Sequence, residues 1–558
     1  MSEKFLTDLD DDQRAAASAI RGPVLIIAGA GTGKTRTITH RIAHAFDNGV
    51  AEPSRTLALT FTARAAAELR LRLATLGFSG VQAHTFHGSA WRQLQFFWSE
   101  AIGGRPFRIL SQKNEVISAA LNAMGRSKGG LSIREISTEI EWAKGQEIAH
   151  EDYLRIAQER VRIAPHGLTL PEIAEIYRGY DALKQEQEQL DFEDILLLLV
   201  GILEEQNSII ERVRSQYRYF TVDEYQDVSP LQQRLLNLWL GNRKEICVVG
   251  DPDQSIFSFA GSTNEYLLGF TKKYPDAEVF RLNQNYRSTE QIVRVANNLV
   301  DRELVSIRGK GAENVRLYSH STEQAEDNWL IRRITELIKS GVESGDIAVL
   351  SRRNDQLHDF AEVLTSHGFP VNVLGSNQGQ RPFFHDGKIK EAIRLIRGAA
   401  VAGNDDLASI DLVGQVIAIL SAIGWHPDRA TGDDARLRLL EFVGTFQERM
   451  PQATLRDLIS EFDERDRSNV EPELIGVVLS SIHSAKGLEW AHIFVPRLKE
   501  GILPISYAIL SGSSEELIAE ERRLFYVAIT RAKDSLSLSY AGGDSSRFLS
   551  LLPVLNSD

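Results

Sequence analysis

Short apolar runs recur along the chain, each followed by a polar or glycine-rich turn and then by residues with helical periodicity. Val24–Ile27, Thr56–Thr60, Tyr219–Val222, Glu245–Val249 and Val279–Leu282 are runs of this kind. Runs of this length, bounded by turn residues, predict strands of a parallel sheet buried on both faces. Between them, apolar positions three and four apart predict helices over Gln13–Ile20, over 36–46, from the stretch Phe61–Arg64 to about Leu76, and over Trp91–Trp98, with Asp11 or Asp12 as cap of the first. Val81–Gly88 predicts a short strand and turn. The four aromatics of Trp91–Trp98 lie at helical spacing and predict core packing. Residues 108–190 are charged, amphipathic and poor in strand signals, which predicts a helical insertion. Within it the charged run Lys184–Gln189 predicts a solvated helix face.

A second alternation begins near residue 290. It predicts a helix over 325–340, a strand Ile347–Leu350, a helix over 355–367, a strand Phe369–Leu374 and a helix Lys388–Arg397. Residues 398–471 are again helical and polar, a second insertion. Strand patterns return at Pro472–Ile482, Ala491–Pro496 and Ser535–Tyr540, with a helix over 514–530 between the last two. The fold class is therefore α/β, with parallel sheets and two helical insertions.

Composition changes this picture little. A chain of 558 residues predicts three or four domains. The balance of 63 basic and 76 acidic residues, net −13, excludes a generally basic nucleic-acid coat but not a local basic cleft. The single cysteine, Cys247, sits in an apolar run and predicts a buried strand residue; it excludes internal disulfides and four-cysteine metal modules. No apolar run has membrane-spanning length and the N-terminus has no signal core, so a cytoplasmic location is expected.

The chemistry is concentrated where strands end. After Val24–Ile27 comes AGAGTGKT, residues 28–35, opening onto a helix. Strand, glycine-rich turn and helix form the context of a phosphate-binding loop. Its glycines let backbone N–H groups face phosphate oxygens, and the helix start adds a positive dipole end. Lys34 would reach the β- and γ-phosphates and Thr35 would hold Mg²⁺. The first position is Ala28 rather than glycine, so the loop alone leaves kinase, GTPase and transporter readings open. After Tyr219–Val222 come Asp223 and Glu224. One carboxylate suits a metal ion and the next can activate water. Arg287 and Arg531, in the second alternation, could offset charge on a transferring phosphoryl group. Gln13, just before the first strand, could read an adenine edge, because an amide both donates and accepts.

Nine blocks in order resemble the UvrD/Rep/PcrA family of superfamily 1 DNA helicases. They are AGAGTGKT at 28–35, LTFTARAAAELRLRL at 59–73, HTFHG at 84–88, LDFEDIL at 190–196, VDEYQD at 222–227, VGDPDQSIFSFAGS at 249–262, LNQNYRST at 282–289, HSAKGLEW at 483–490 and EERRLFYVAITRAK at 520–533. The resemblance spans nearly the whole chain. It implies two RecA-like motor domains with ATP bound between them, each carrying an insertion. Motor domain 1A would comprise 1–107 and 191–284, insertion 1B 108–190, motor domain 2A 285–397 and 472–558, and insertion 2B 398–471.

By the same resemblance, residues Ala28, Gly29, Ala30, Gly31, Thr32, Gly33, Lys34 and Thr35 would cradle the phosphates of ATP. Gln13 and Arg36 would read adenine and Tyr286 would stack on it. Asp223 and Thr35 would hold Mg²⁺, Glu224 would be the general base and Gln254 would sense the γ-phosphate. Arg287 and Arg531 would be the fingers, with Gly487 near the γ-phosphate and Glu489 near the ribose. Phe61, Phe257 and Phe259 would stack on bases of single-stranded DNA, a sequence-tolerant contact; core packing is the alternative for each. Thr62, Arg64, Thr85, His87, Arg352, Asn354, Ser481 and His483 would contact phosphates or sugars. Neither His87 nor His483 has a carboxylate or cysteine at metal-ligand spacing, so DNA contact or core packing is expected of them.

The resemblance implies an ATP-dependent helicase or translocase moving 3′→5′ on single-stranded DNA and on ss/ds junctions, in repair, replication or recombination. It departs at 398–471, which is far shorter than in typical relatives; only Ala422-Ile423-Gly424 resembles their duplex-contacting hairpin. Duplex unwinding is therefore expected to be weak or partner-dependent. Two other readings stay open: a DNA-stimulated ATPase switch within a repair or anti-phage complex with protein partners, and an RNA motor. A monomer or weak self-association is expected.

Overall fold

The computed structural model describes residues 3–110, 113–126, 132–165, 167–309, 315–374, 383–402, 410–427, 435–450, 453–468, 476–510 and 514–553. The expected strand Pro472–Ile482 and the second insertion lie partly outside these residues. The chain divides into two compact units, 1–286 with 303–305, and 287–302 with 306–558.

The first unit is built on a six-stranded parallel sheet of β1 (Val24–Ala28), β2 (Thr56–Thr60), β3 (Gln82–Thr85), β4 (Tyr219–Val222), β5 (Ile246–Gly250) and β6 (Glu278–Leu282), in the order β3-β2-β4-β5-β1-β6. The strands carry continuous apolar runs because both faces are covered. Leu57, Leu59, Phe220, Val222 and Val248 face one core, and Val24, Ile26, Ala58, Cys247 and Val249 face the other. Cys247 is fully buried, as its sequence context predicts.

Parallel register fixes where each strand ends. Ile27 pairs with Gly250, Val222 with Val248, Leu59 with Val222, and Thr60 with Thr85. The turns after β1 to β5 therefore emerge along one edge of the sheet, which is where open α/β sheets bind ligands. Helices α1 (Asp11–Ser18), α2 (Lys34–Asp47), α3 (Ala63–Thr75) and α4 (Phe86–Ala101) start close to that edge or lead into it. Helix α1 is capped by Asp10, which accepts from the Gln13 N–H, and not by Asp11 or Asp12. Helix α4 begins at once after β3, because Thr85 caps it by accepting from the Gly88 N–H; no intervening turn exists at 86–88. In α4, Phe97 and Trp98 are buried and Trp91 packs on the same core, whereas Phe96 projects outward with the Arg212 guanidinium over its ring.

The insertion contains α5 (Lys113–Ala123), α6 (Ile133–Gly145), α7 (His150–Glu159) and α8 (Leu170–Glu186) around its own core of Ile117, Ile136, Tyr153, Ile173 and Tyr177, and leads to α9 (Phe192–Glu205). Two-residue strands at its ends, Arg108–Ile109 and Gln189–Leu190, pair in parallel and pin its root. Of the run Lys184–Gln189, Gln185, Glu186, Gln187 and Glu188 are exposed as expected, but Lys184 is not. Lys184 is buried against Asp191 and Asp194, so its charge is matched by carboxylates and not by water.

The second unit has its own six-stranded parallel sheet: β7 (Val315–His320), β8 (Ile347–Ser351), β9 (Val371–Leu374), β10 (Val477–Ser481), β11 (Trp490–Val495) and β12 (Ala532–Ala541), ordered β7-β12-β11-β8-β10-β9. Helices Gly387–Ala402, Leu412–Ser421, Ala435–Arg449 and Leu455–Ser468 close a separate core around Phe383, Leu420, Leu439, Phe442 and Phe462.

Candidate functional site

The turn after β1 is shaped by glycines at positive φ, Gly31 at +72° and Gly33 at +79°. Gly33 leads into α2 in the left-handed region, and a Cβ there would lie 2.6 Å from the Gln13 amide nitrogen. Gln13 donates that nitrogen to the Thr32 carbonyl at 3.0 Å, and the Thr32 hydroxyl donates to the Gly29 carbonyl at 2.8 Å. Asn285 donates to the Ala30 carbonyl at 2.8 Å, and the Tyr286 N–H to the Gly31 carbonyl at 2.8 Å. The Tyr286 ring is partly exposed, and its hydroxyl donates to the Asp10 carboxylate. Arg36 reaches the Asp8 carbonyl at 2.7 Å. The candidate adenine readers Gln13, Arg36 and Tyr286 thus surround the loop that carries Lys34 and Thr35.

Three carboxylates face Lys34. Its ammonium lies 3.3 Å from Glu224, and Asp223 and Asp251 contribute to its field. Burial alone would lower the Lys34 pKa; these acids outweigh it and hold it above the ordinary lysine value. The Asp223 carboxyl is pushed up to about 7, by burial first and then by neighbouring Glu224, with Lys34 opposing. The Asp223 carboxylate and the Thr35 hydroxyl, next to Lys34, are hard oxygen donors that fit Mg²⁺, which binds few protein ligands and keeps waters.

Glu224 itself sits at φ +52°, a conformation rare outside glycine and asparagine. Gln226 holds it there. The buried Gln226 amide donates to Glu224 at 2.5 Å, while its carbonyl oxygen accepts from the Asp251 N–H at 3.0 Å and its backbone carbonyl from Ser255 at 3.3 Å. Gln254 donates to Asp251 at 2.6 Å. The acids after β4 and the turn after β5 are therefore one hydrogen-bonded unit. In the sequence, the one signal for Gln226 is its place two residues after Glu224 in VDEYQD.

Toward the β3 side, the same edge carries aromatic rings. Phe61 stacks on Phe257 with centroids 5.1 Å apart and planes 15° apart, and Phe257 meets Phe259 edge-on at 6.1 Å. Phe61 and Phe259 are each 42% exposed, so these rings are not core. Thr62 and Thr85 cap α3 and α4, which points two helix N-termini at this face, and Arg64 is exposed in the first turn of α3. His87 is pushed down to about 4 by burial, partly offset by Asp191, so it stands there as a neutral ring. Phe192, at the first position of α9, meets it edge-on at 5.8 Å and is 55% exposed. Phe192 lies inside LDFEDIL but was not singled out in the sequence; an apolar residue just after a capping Asp was the available signal.

In the second unit, Ser351 and Ser481 pair in neighbouring strands, which brings Arg352, Asn354, Ser481 and His483 to one sheet edge. Asn354 is exposed, whereas the Arg352 guanidinium is held by Glu521, with its closest contact at 2.7 Å. The Ser481 hydroxyl is buried and donates to Ser484. Elsewhere in this unit Arg287 pairs with Glu489 at 2.6 Å and donates to the Thr530 carbonyl at 3.0 Å. Glu489 also pairs with Lys533 at 2.9 Å; burial would raise its pKa, but Arg287 and Lys533 hold it below the ordinary value. Gly487 sits at φ +84°. Arg531 is 2% exposed and donates to the carbonyls of Val527 and Leu488.

Comparison with known proteins agrees with this layout. The UvrD/REP helicase N-terminal domain matches residues 9–275, and the UvrD-like helicase C-terminal domain matches 280–417 and 438–543. The Mycobacterium tuberculosis protein named ATP-dependent DNA helicase UvrD2 is 39% identical, over 98% of this chain and 81% of that protein. Proteins named ATP-dependent DNA helicase PcrA from Leuconostoc citreum and Staphylococcus aureus are 29% and 28% identical, over 97% and 96% of this chain and 83% and 84% of theirs. Two such domain matches, over a fold of two parallel sheets, place the chain in the UvrD/Rep/PcrA helicase family.

Proposed function

We propose that this protein is an ATP-dependent DNA helicase and translocase that moves 3′→5′ along single-stranded DNA. The observation that carries the reading is the hydrogen-bonded unit Lys34–Glu224–Gln226–Asp251–Gln254, which runs from the phosphate loop to the turn bearing Phe257 and Phe259. A change in charge at the phosphates can be felt by the aromatic face through these bonds. The family membership and the names of its relatives support the same activity.

In this reading the loop 28–35 binds the phosphates of ATP, with Gln13, Arg36 and Tyr286 on the adenine. Asp223 and Thr35 would hold Mg²⁺, which would supply charge neutralisation to the phosphates. Glu224 takes the proton from the attacking water. Gln254 senses the γ-phosphate. Arg287 and Arg531 offset charge on the transferring phosphoryl group, with Gly487 and Glu489 serving the same nucleotide. Phe61, Phe257, Phe259 and Phe192 offer faces and edges to bases. Thr62, Arg64, Thr85, His87, Arg352, Asn354, Ser481 and His483 meet the strand's phosphates and sugars; helix N-termini at Thr62 and Thr85 suit phosphate.

The division into 1A, 1B, 2A and 2B is proposed at the boundaries 107/108, 190/191, 284/285, 397/398 and 471/472. The short second insertion supports translocation with weak unwinding. The domain match is interrupted over 418–437, where Ala422-Ile423-Gly424 falls. Rapid unwinding of long duplexes by purified monomer at low salt would contradict that part. ATP turnover with and without oligo-dT tests the whole: strong stimulation is expected, and none would overturn the motor reading. RNA oligomers in the same assay should stimulate less than DNA.

A further inference from the structure

A buried cluster of charges ties the first insertion to the sheet domain, and none of the roles proposed above uses it. Lys144 on α6 and Lys184 on α8 are each 2% exposed, and Asp191 is 3% exposed. The Lys144 ammonium lies 2.8 Å from Asp191, 2.5 Å from Asp194 and 3.0 Å from Asp181. That of Lys184 lies 2.6 Å from Asp191 and 3.1 Å from Asp181, and also pairs with Asp194. The Tyr180 hydroxyl donates to Asp191 at 2.9 Å. The three carboxylates are close enough together to hold a metal ion, but the two ammonium groups already pair with all three.

Buried ion clusters of this kind add little net stability over apolar replacements; their best-attested use is to fix register. The register fixed here is that of the first turn of α9. Asp191 caps that helix by accepting from the Asp194 N–H at 2.9 Å, and Asp194 accepts in return from the Asp191 N–H at 3.0 Å. The carboxylates that hold both lysines therefore also start the helix whose first residue is Phe192. Two residues after Lys144, the Gln146 amide donates to the Gly261 carbonyl at 2.8 Å. A Cβ on Gly145 would lie 3.4 Å from the Ala260 carbonyl oxygen, and one on Gly261 3.3 Å from that of Trp142. The last turn of α6 thus braces both Phe192, beside His87, and the turn that bears Phe257 and Phe259.

We infer that Lys144 and Lys184 are positioning residues for single-stranded DNA: by locking Asp191 and Asp194, they fix Phe192 against His87, on the helix pair α6–α9 that also touches the turn bearing Phe257 and Phe259. The bases then meet rings already in place, so less ordering is needed on binding. The inference rests on the reading of this face as the DNA path.

The test measures ATP turnover against oligo-dT concentration in the full chain. Lys144→Met should raise the half-maximal oligonucleotide concentration roughly tenfold, about 1.4 kcal/mol of DNA binding, with turnover at saturating oligonucleotide kept within about threefold. Combined with Phe192→Ala, it should add less than about twofold, because both changes act on one ring. Gln146→Ala, on the partly exposed side of the same turn, should shift the curve in the same direction and serves if Lys144→Met does not fold. Full additivity with Phe192→Ala would overturn the inference. So would an unshifted curve for Gln146→Ala or a folded Lys144→Met. Absence of DNA stimulation in the unaltered protein would instead overturn the motor reading, and the inference with it.

Discussion

Glu224 occupies a backbone conformation that costs free energy, and Lys34 and Gln226 are the groups that hold it there. Strain of this sort persists where surrounding contacts over-determine a side chain. Glu224→Gln should keep ATP binding and lower turnover by orders of magnitude, as measured by nucleotide affinity beside steady-state hydrolysis; near-normal turnover would remove Glu224 as base. Gln226→Leu keeps the volume and removes the clamp. It should lower turnover by roughly 10–100-fold, with nucleotide affinity kept within about threefold. Asp223 provides a pH signature. Its folded pKa, about 7, stands above the ordinary carboxyl value, so between about pH 4 and 7 the folded state binds the extra proton. Its contribution to stability therefore falls as pH rises through that window. Without divalent cations, Asp223→Asn should gain melting temperature relative to the unaltered protein as pH rises from 4 to 7. A constant difference would contradict the raised pKa.

The phosphate loop shows how an element imposes demands on single positions. Gly33→Ala forces a left-handed residue at about 1–2 kcal/mol and drives a methyl group toward Gln13. Denaturant unfolding should register that loss, and nucleotide affinity should fall because the loop and Gln13, the proposed adenine contact, shift together. At this scale most of the fold was legible in the sequence. Parallel strands buried on both faces read as bare apolar runs, and Tyr219–Val222 was bounded correctly at both ends. Helix starts were less legible. Asp10 competes with Asp11 and Asp12 for the α1 cap, and Thr85 starts α4 where HTFHG reads as a turn. Lys184 was misread because its local pattern of charges is that of a surface. The partner that closes the cluster, Lys144, lies 40 positions away on another helix. The partner of Arg352 was equally hidden, since Glu521 is 169 positions distant. The loop and the acid pair were legible because a glycine-rich turn with lysine, or two acids, has few other uses at a strand end. Gln226 and Phe192 were not, because a glutamine or a phenylalanine has many.

At the scale of the whole molecule, a motor requires that ATP turnover and DNA contact be linked. Inside the first unit, hydrogen bonds join Glu224, Gln226 and Asp251 next to the turn 254–259, the link the proposed motor would use, and Gln146 at the end of α6 bonds to Gly261 just beyond that turn. Directional movement follows only if each ATP cycle advances the strand. The most direct measurement is therefore stopped-flow translocation on oligo-dT of increasing length, labelled at either end. With a 5′-end label, the ATP-dependent signal should show a delay that grows in proportion to length, and a 3′-end label should show no such length-dependent delay. A signal independent of length at both ends, despite DNA-stimulated ATP turnover, would contradict the motor and leave only a switch.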